Sequence, residues 1–193
     1  MMKKTLSVLL SLAIVIGAAA CIDFSVLAKT TSDGFAYTVS GSSVTITGYE
    51  GTKKALVIPA KIENRNVTAI GDRAFIEKNY TSVKLPNTVK SIGAYSFSYN
   101  DALTSIVVPN SVTEIGEFAF YGDEALASVT LSENLKSIGS EAFGFCRAIK
   151  SLTIPKNVKA INDIFYFNDS LAELKILGKN TECPNWYIGK YTS

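Results

Sequence analysis

A unit of about 23 residues recurs along most of this chain, and no other feature limits its possible folds as strongly. Three consecutive units are 23 residues long, the next has 22, an irregular copy precedes them and a partial copy follows. The units begin at Leu56, Val83, Ile106, Val129, Leu152 and Leu174. One aligned column holds Phe75, Phe97, Phe120, Phe143 and Phe165. Agreement at a fixed period predicts a stack of similar coils.

Each unit contains signals for a short strand and for turns. The triplet Val83-Lys84-Leu85 alternates apolar and polar residues with a period of two, which predicts a strand. The proline that follows ends the strand because it cannot donate to a ladder. We expect Gly93 to permit a tight turn and the next Ala-Phe pairs to lie in a helical turn. A single coil cannot bury its apolar side, so the coils must share a core.

The stretch VPNSVTEIGEFAFYGDEALASVTL, residues 108–131, resembles the BspA-like leucine-rich repeat family, whose repeat is close to LxxVxIPxxVxxIGxxAFxxC. The resemblance extends over about residues 56–177. It implies a β-rich α/β solenoid, a right-handed leucine-rich repeat array of about five coils. It also implies a secreted or cell-surface protein, in many cases bacterial and in some an adhesin. The match is weaker near Glu63 and at Asn162, which replaces the usual glycine.

The N-terminus has the layout of a secretory signal peptide. Lys3 and Lys4 precede an apolar run of fifteen residues, 6–20, which is shorter than the roughly twenty residues that a membrane-spanning helix needs. Cleavage after Ala28 competes with lipidation of Cys21, which follows a sequence that loosely resembles a lipobox. We therefore expect a secreted or cell-surface protein without a transmembrane segment after cleavage, or alternatively one anchored by lipid at Cys21.

The same reasoning divides the chain into four parts. Residues 1–28 form the signal peptide, and residues 56–177 form the repeat solenoid. Residues 29–55 contain two alternating runs around Ser40-Gly41-Ser42, which predict a β-hairpin that caps the first coil. Residues 178–193 form a C-terminal cap or tail. A cap is expected because the open edge of a solenoid invites aggregation.

The composition argues against an enzyme. The chain has no histidine, so it lacks the commonest general base and the commonest metal ligand, and Ser-His-Asp or Cys-His mechanisms are excluded. The net charge of +2 gives no electrostatic case for nucleic acid. No phosphate-binding loop appears. We therefore predict no catalytic residues, no cofactor, no metal and no nucleic-acid partner.

Cys146, in the stretch EAFGFC, has three possible roles: a structural thiol, a reactive thiol, or half of a disulfide with Cys183. The structural role is favoured because other units place Asn100, Asp123 and Asn168 in the same column, and short polar side chains bond to nearby backbone at turns.

The outward strand positions are the candidate partner-binding residues, because solenoids bind partners on extended faces. They are Lys84, Val107, Thr130, Thr153 and Lys175. The competing interpretation is an ordinary solvated strand surface. The aromatic residues near the turns have two possible roles: packing against each other between neighbouring turns, or contact with a partner. They are Tyr95, Tyr99, Phe118, Tyr121, Phe145, Tyr166 and Phe167.

The sequence thus favours an exported, non-enzymatic binding module that recognises a protein or a glycan. A structural or spacer element of the cell envelope, with no specific ligand, is the alternative.

Overall fold

A computed structural model of the chain describes residues 28–161, 163–179 and 181–182. These residues form strands and turns, with no helix among them. The strands are β1 Lys29–Thr30, β2 Phe35–Ser40, β3 Ser43–Tyr49, β4 Ala55–Val57, β5 Lys61–Ile62, β6 Arg65–Ile70, β7 Ser82–Lys84, β8 Ser91–Ile92, β9 Ser105–Val107, β10 Glu114–Ile115, β11 Ser128–Thr130, β12 Ser137–Ile138, β13 Ser151–Ile154 and β14 Glu173–Ile176.

One side of the solenoid is built from the strand triplets that the sequence predicts. Strands β4, β7, β9, β11, β13 and β14 lie along it, one from each turn of the chain. Pairing is parallel, with Val129 opposite Ile106 and Leu174 opposite Leu152. The last strand comes from the partial copy, so the β-solenoid has about six turns, one more than the complete copies alone suggest.

The second side is a parallel ladder of shorter strands, β6, β8, β10 and β12. The isoleucine column forms its buried rungs, with Ile115 opposite both Ile92 and Ile138. At the N-terminal end, β2 and β3 form an antiparallel hairpin, and β3 pairs in parallel with β6. The hairpin therefore extends the second side of the solenoid.

The third side differs from the sequence prediction, because turns replace the expected helical turn. A helix would bond each N–H to a carbonyl four residues earlier in its own segment. Here alternate N–H groups donate to the next coil instead: that of Phe97 to Ala119 O at 2.8 Å, and that of Phe120 to Ala142 O at 2.9 Å. Several of the donating residues have positive φ angles, including Tyr99 at 60°, whose N–H donates to Tyr121 O at 2.9 Å.

The glycine column also has a different role from the expected one. Gly93, Gly116 and Gly139 do not have positive φ angles, so turn geometry does not require them. A Cβ on Gly139 would lie 2.3 Å from the backbone nitrogen of Glu117, in the preceding coil. These glycines allow the backbones of successive coils to approach each other.

The phenylalanine column forms the centre of one continuous core, as predicted. Phe97 and Phe143 stack on opposite faces of Phe120, each with a centroid separation of 5.4 Å and nearly parallel planes. Each ring is fully buried. Burial of such a side chain stabilises the fold by about 1.5–3 kcal/mol, so the column accounts for much of the cohesion between coils.

Candidate binding surface

The five outward positions proposed from the sequence lie on the same side of the solenoid. Each side chain is exposed and lies between two inward-facing residues of the chain, as Lys84 lies between Val83 and Leu85. Val107 is opposite Thr130, and Thr153 is opposite Lys175. The exposed side chains on these strands constitute the strand face, whose proposed members are Lys84, Val107, Thr130, Thr153 and Lys175. Binding through them stays a prediction.

The strand face combines apolar and polar groups with two shallow clefts. Val57 and Val107 are 63% and 64% exposed, which is unusual for valine. A cleft of about 390 Å³ is lined by residues that include Lys84 and Val107. A second, of about 360 Å³, is lined by residues that include Thr130 and Thr153. Four of the five proposed residues therefore border a concave surface.

Cys146 has the environment of a structural thiol. It is a free, fully buried cysteine, and its Sγ donates to the carbonyl oxygen of Phe120 at 3.0 Å. Burial, together with the nearby Asp123 carboxyl, raises the pKa of the thiol well above its usual value. Because the thiolate is the nucleophilic form, this environment does not favour reactivity. Cys183 lies outside the described residues.

The column of Cys146 performs the same task in several coils. Asn100 Nδ2 donates to Phe75 O at 3.1 Å, and Asn168 Nδ2 donates to Phe143 O at 2.8 Å. Together with the Cys146 bond, these contacts join a short side chain to the phenylalanine carbonyl of the preceding coil. The sequence correctly identified the column, and the structure supplies the acceptor.

Asp123 is the exception in that column, and nothing in the sequence indicates its environment. Its Oδ1 accepts the N–H of Asn100 at 2.7 Å, whereas its buried Oδ2 has no hydrogen-bond partner. Burial raises the pKa of the carboxyl well above its usual value. A carboxyl can donate only when protonated, so the neutral acid is the form that could reproduce the bond made by its neighbours.

The aromatic residues of the third side pack together, as one interpretation of the sequence predicts, and several are exposed to solvent; contact with a partner stays a prediction. The Tyr95 and Phe118 rings stack with centroids 4.7 Å apart, and Phe118 contacts Tyr121 at 5.4 Å. Tyr121 contacts Phe145 at 5.2 Å. The contacts join one continuous group of rings. Its most exposed members are Tyr99 at 45%, Tyr166 at 49% and Phe167 at 52%.

In the part of the chain that the structure describes, no group of three or more Cys, Asp or Glu residues is arranged to hold a metal ion. No helix in that part has the length and apolar character needed to cross a bilayer.

Comparison with known proteins explains the repeat. A family model for the BspA type leucine-rich repeat region matches residues 68–190 in six copies. The chain belongs to the BspA-type leucine-rich repeat family. Leucine-rich repeat domains of this kind are typically non-enzymatic interaction modules, and BspA-like proteins are typically found on bacterial surfaces. No match was found among curated proteins.

Solved structures agree with this assignment. A T. pallidum leucine-rich repeat protein is 28% identical, with a TM-score of 0.72 over 76% of this chain and 70% of that one. A leucine-rich cell surface protein from Faecalibacterium prausnitzii is 29% identical, with a TM-score of 0.72 over 79% of this chain and 43% of that one. The pneumococcal vaccine antigen PcpA shares the fold at 20% identity and a TM-score of 0.63, over 80% and 51%.

Proposed function

We propose that this BspA-type protein is exported and binds a protein or a glycan through its strand face. The observation that carries the proposal is the alignment of five exposed side chains on successive strands, next to two shallow clefts. A regular, extended face of this kind offers repeated contacts to a long partner. Adhesion at a bacterial surface is the role that fits this arrangement best.

The strands of the strand face are hydrogen-bonded in parallel pairs, which favours binding. The β9 and β11 triplets are joined by parallel pairing, and Val108 N donates to Thr130 O at 2.9 Å just beyond them. Because these backbone groups are already ordered, binding requires little further loss of conformational entropy. Less of the free energy of the contacts is therefore lost to ordering the backbone, and the affinity is higher.

The side chains of the face define the chemistry of a suitable partner. Val57 and Val107 supply exposed apolar area, Thr130 and Thr153 supply hydroxyl groups, and Lys84 supplies a positive charge. Hydroxyl and ammonium groups can bond to sugar hydroxyls or peptide carbonyls, while apolar area contacts either class. The partner is therefore proposed to be a protein or a glycan.

A panel of host-matrix proteins and a glycan array would test the face. The test variant replaces Lys84, Thr130 and Thr153 with alanine. The matched control replaces Lys90, Thr68 and Thr113, which are also one lysine and two threonines, beside the second side of the solenoid.

We expect the strand-face variant to lose binding and the control to retain it, with unchanged thermal unfolding in both. Binding that survives the strand-face changes would contradict this choice of surface. If the unmodified protein binds nothing on either panel, the alternative role as a structural or spacer element of the envelope gains support.

Export is a separate part of the proposal and has its own test. Intact mass spectrometry of the protein from its native cells would distinguish cleavage after Ala28 from lipid attachment at Cys21. A mature chain that still contains the first twenty residues would contradict both routes.

A further inference from the structure

The third side of the solenoid is acidic as well as aromatic. Its turn segments carry eight solvent-accessible Asp or Glu residues and four Lys or Arg residues, a net charge of −4 without the buried Asp123. The remaining residues of 28–182 carry seven acidic and twelve basic residues, a net charge of +5. The segments are 71–80, 93–104, 116–127, 139–150 and 163–172. This side is therefore complementary to a cationic partner.

Two guanidinium groups of the chain already lie on these rings. Arg73 Cζ is 5.0 Å from the centroid of the Tyr95 ring, and Arg147 Cζ is 5.7 Å from that of Phe145. Both distances fall within the range of about 6 Å over which a cation is attracted to an aromatic face. The rings are thus presented in a way that accommodates cationic side chains.

Three aromatic rings of this side line an open cleft of about 300 Å³. Tyr99, Tyr121 and Phe145 line it, and Asp101 and Glu124 contribute carboxylates. The ring planes of Tyr99 and Tyr121 are inclined at 78°, and those of Tyr121 and Phe145 at 56°. Inclined rings form walls around a compact group, whereas a sugar ring stacks best on a flat platform. Walls with carboxylates suit a cation better than a neutral saccharide.

Gly122 helps to create the space. Its φ angle is +75°, and a Cβ at this position would lie 2.7 Å from the ring of Tyr99. The neighbouring coils place Tyr99 and Phe145 in the corresponding position, also with positive φ angles. The glycine therefore leaves a gap between two aromatic side chains.

We propose that this cleft receives an arginine or lysine side chain of a protein or peptide partner. The inclined rings contact the cation, and the carboxylates of Asp101 and Glu124 neutralise it. The site lies on a different side from the strand face, so it does not depend on the function proposed above.

Arg147 acts as an internal competitor for the same groups. Its Nε lies 4.0 Å from Glu124 Oε1, and both side chains are more than half exposed. An exposed pair at this distance is weak, so an incoming cation can replace it. Removal of Arg147 should consequently strengthen binding, a result that loss of an ordinary structural residue would not produce.

The test measures binding of a fluorescent arginine–glycine peptide to the purified protein by anisotropy. A peptide with citrulline in place of arginine has nearly the same shape without the charge. We expect measurable binding of the arginine peptide only, and a decrease at about 0.5 M NaCl, where charge interactions are screened over a few ångströms. Tyr99→Ala should weaken binding about fivefold or more. Arg147→Gln should strengthen it about two- to fivefold.

The double variant Asp101→Asn, Glu124→Gln should also lose binding. Its matched control is Asp33→Asn, Glu114→Gln, which removes the same charges from other parts of the molecule. The proposal fails if the arginine peptide does not bind, or if citrulline binds equally well. It also fails if neutral oligosaccharides bind in a way that needs Tyr99 but not the carboxylates, because the cleft is then a saccharide site. The strand-face variant should bind the peptide normally, which separates this outcome from the proposed function.

Discussion

Asp123 occupies a position that Asn100 and Asn168 fill in other coils, yet it introduces an acid into a fully buried site. From the sequence alone, Asn and Asp in one column look interchangeable as residues that stabilise turns. The difference becomes visible only when neighbouring coils remove water from the carboxyl and leave its Oδ2 unpaired. The sequence therefore predicts the column, but the loss of stability caused by a charged Asp123 depends on how the neighbouring coils bury it.

We expect Asp123→Asn to stabilise the protein at neutral pH. At low pH the Asp123 carboxyl is protonated in both the folded and the unfolded protein. As the pH rises above about 3.9, the carboxyl of the unfolded chain releases its proton first, because burial raises the pKa of Asp123 in the folded protein. Stability is therefore lost through the window between the two pKa values. The gain should be about 1–3 kcal/mol at pH 7 and should shrink towards pH 4. Denaturant unfolding from pH 4 to pH 8 measures it. Asp169→Asn, at an exposed site, is the control, and an equal gain there would contradict the explanation.

At the scale of elements, the strands follow directly from the sequence and the turns do not. Alternation within each triplet identified Leu85, Ile106 and Leu152 as inward residues, and all are buried. The third side was predicted to contain a helical turn at each Ala-Phe pair, with the phenylalanine in the core. Its hydrogen bonds instead join residues about one repeat apart, such as Phe97 and Ala119. A local pattern contains no signal for such bonds, and Tyr99 would not be predicted to have a positive φ angle.

The glycine column provides a test of how the coils contact each other. In Gly139→Ala the new methyl group would collide with the backbone of Glu117, which a side-chain rotation cannot relieve. We expect a loss of about 1–3 kcal/mol in the free energy of unfolding. Gly41→Ala is the matched control: its φ angle is +57° but no atom lies within 4 Å of the new Cβ. Thermal and urea unfolding should show the larger loss at Gly139. If Gly139→Ala is no more damaging than Gly41→Ala, close contact between coils does not explain the glycine column.

At the scale of the molecule, the solenoid behaves as a one-dimensional stack in which each coil contacts its two neighbours. The sequence predicts about five coils and the structure has about six turns, because the partial copy beginning at Leu174 supplies the last strand of the first side. The acidic character of the third side could not be predicted from the sequence, because its acidic residues are spread along the chain. They come together on one side only in the folded solenoid. The same winding gathers the aromatic residues and creates the cleft between three coils.

Deletion of residues 106–128 tests this architecture. It removes one complete repeat and joins Ser105 to Val129, restoring the Ser-Val junction that β11 already contains. Every later inward residue keeps its orientation, so we expect a monomeric, β-rich protein that unfolds cooperatively at a lower temperature. Deletion of residues 107–128 is one residue shorter and shifts Thr130 into an inward position, because strand side chains alternate with a period of two.

Circular dichroism, size-exclusion chromatography and thermal unfolding should distinguish the two deletions. The deletion of a complete repeat should fold, whereas the shorter one should aggregate or unfold at a much lower temperature. The folded deletion should also lose binding of the arginine peptide, because Tyr121 and Glu124 are removed while Tyr99 and Phe145 remain. Equal behaviour of the two deletions would show that register between coils is not what stabilises the stack. Retained peptide binding would show that the cleft between three coils is not the site of the cation.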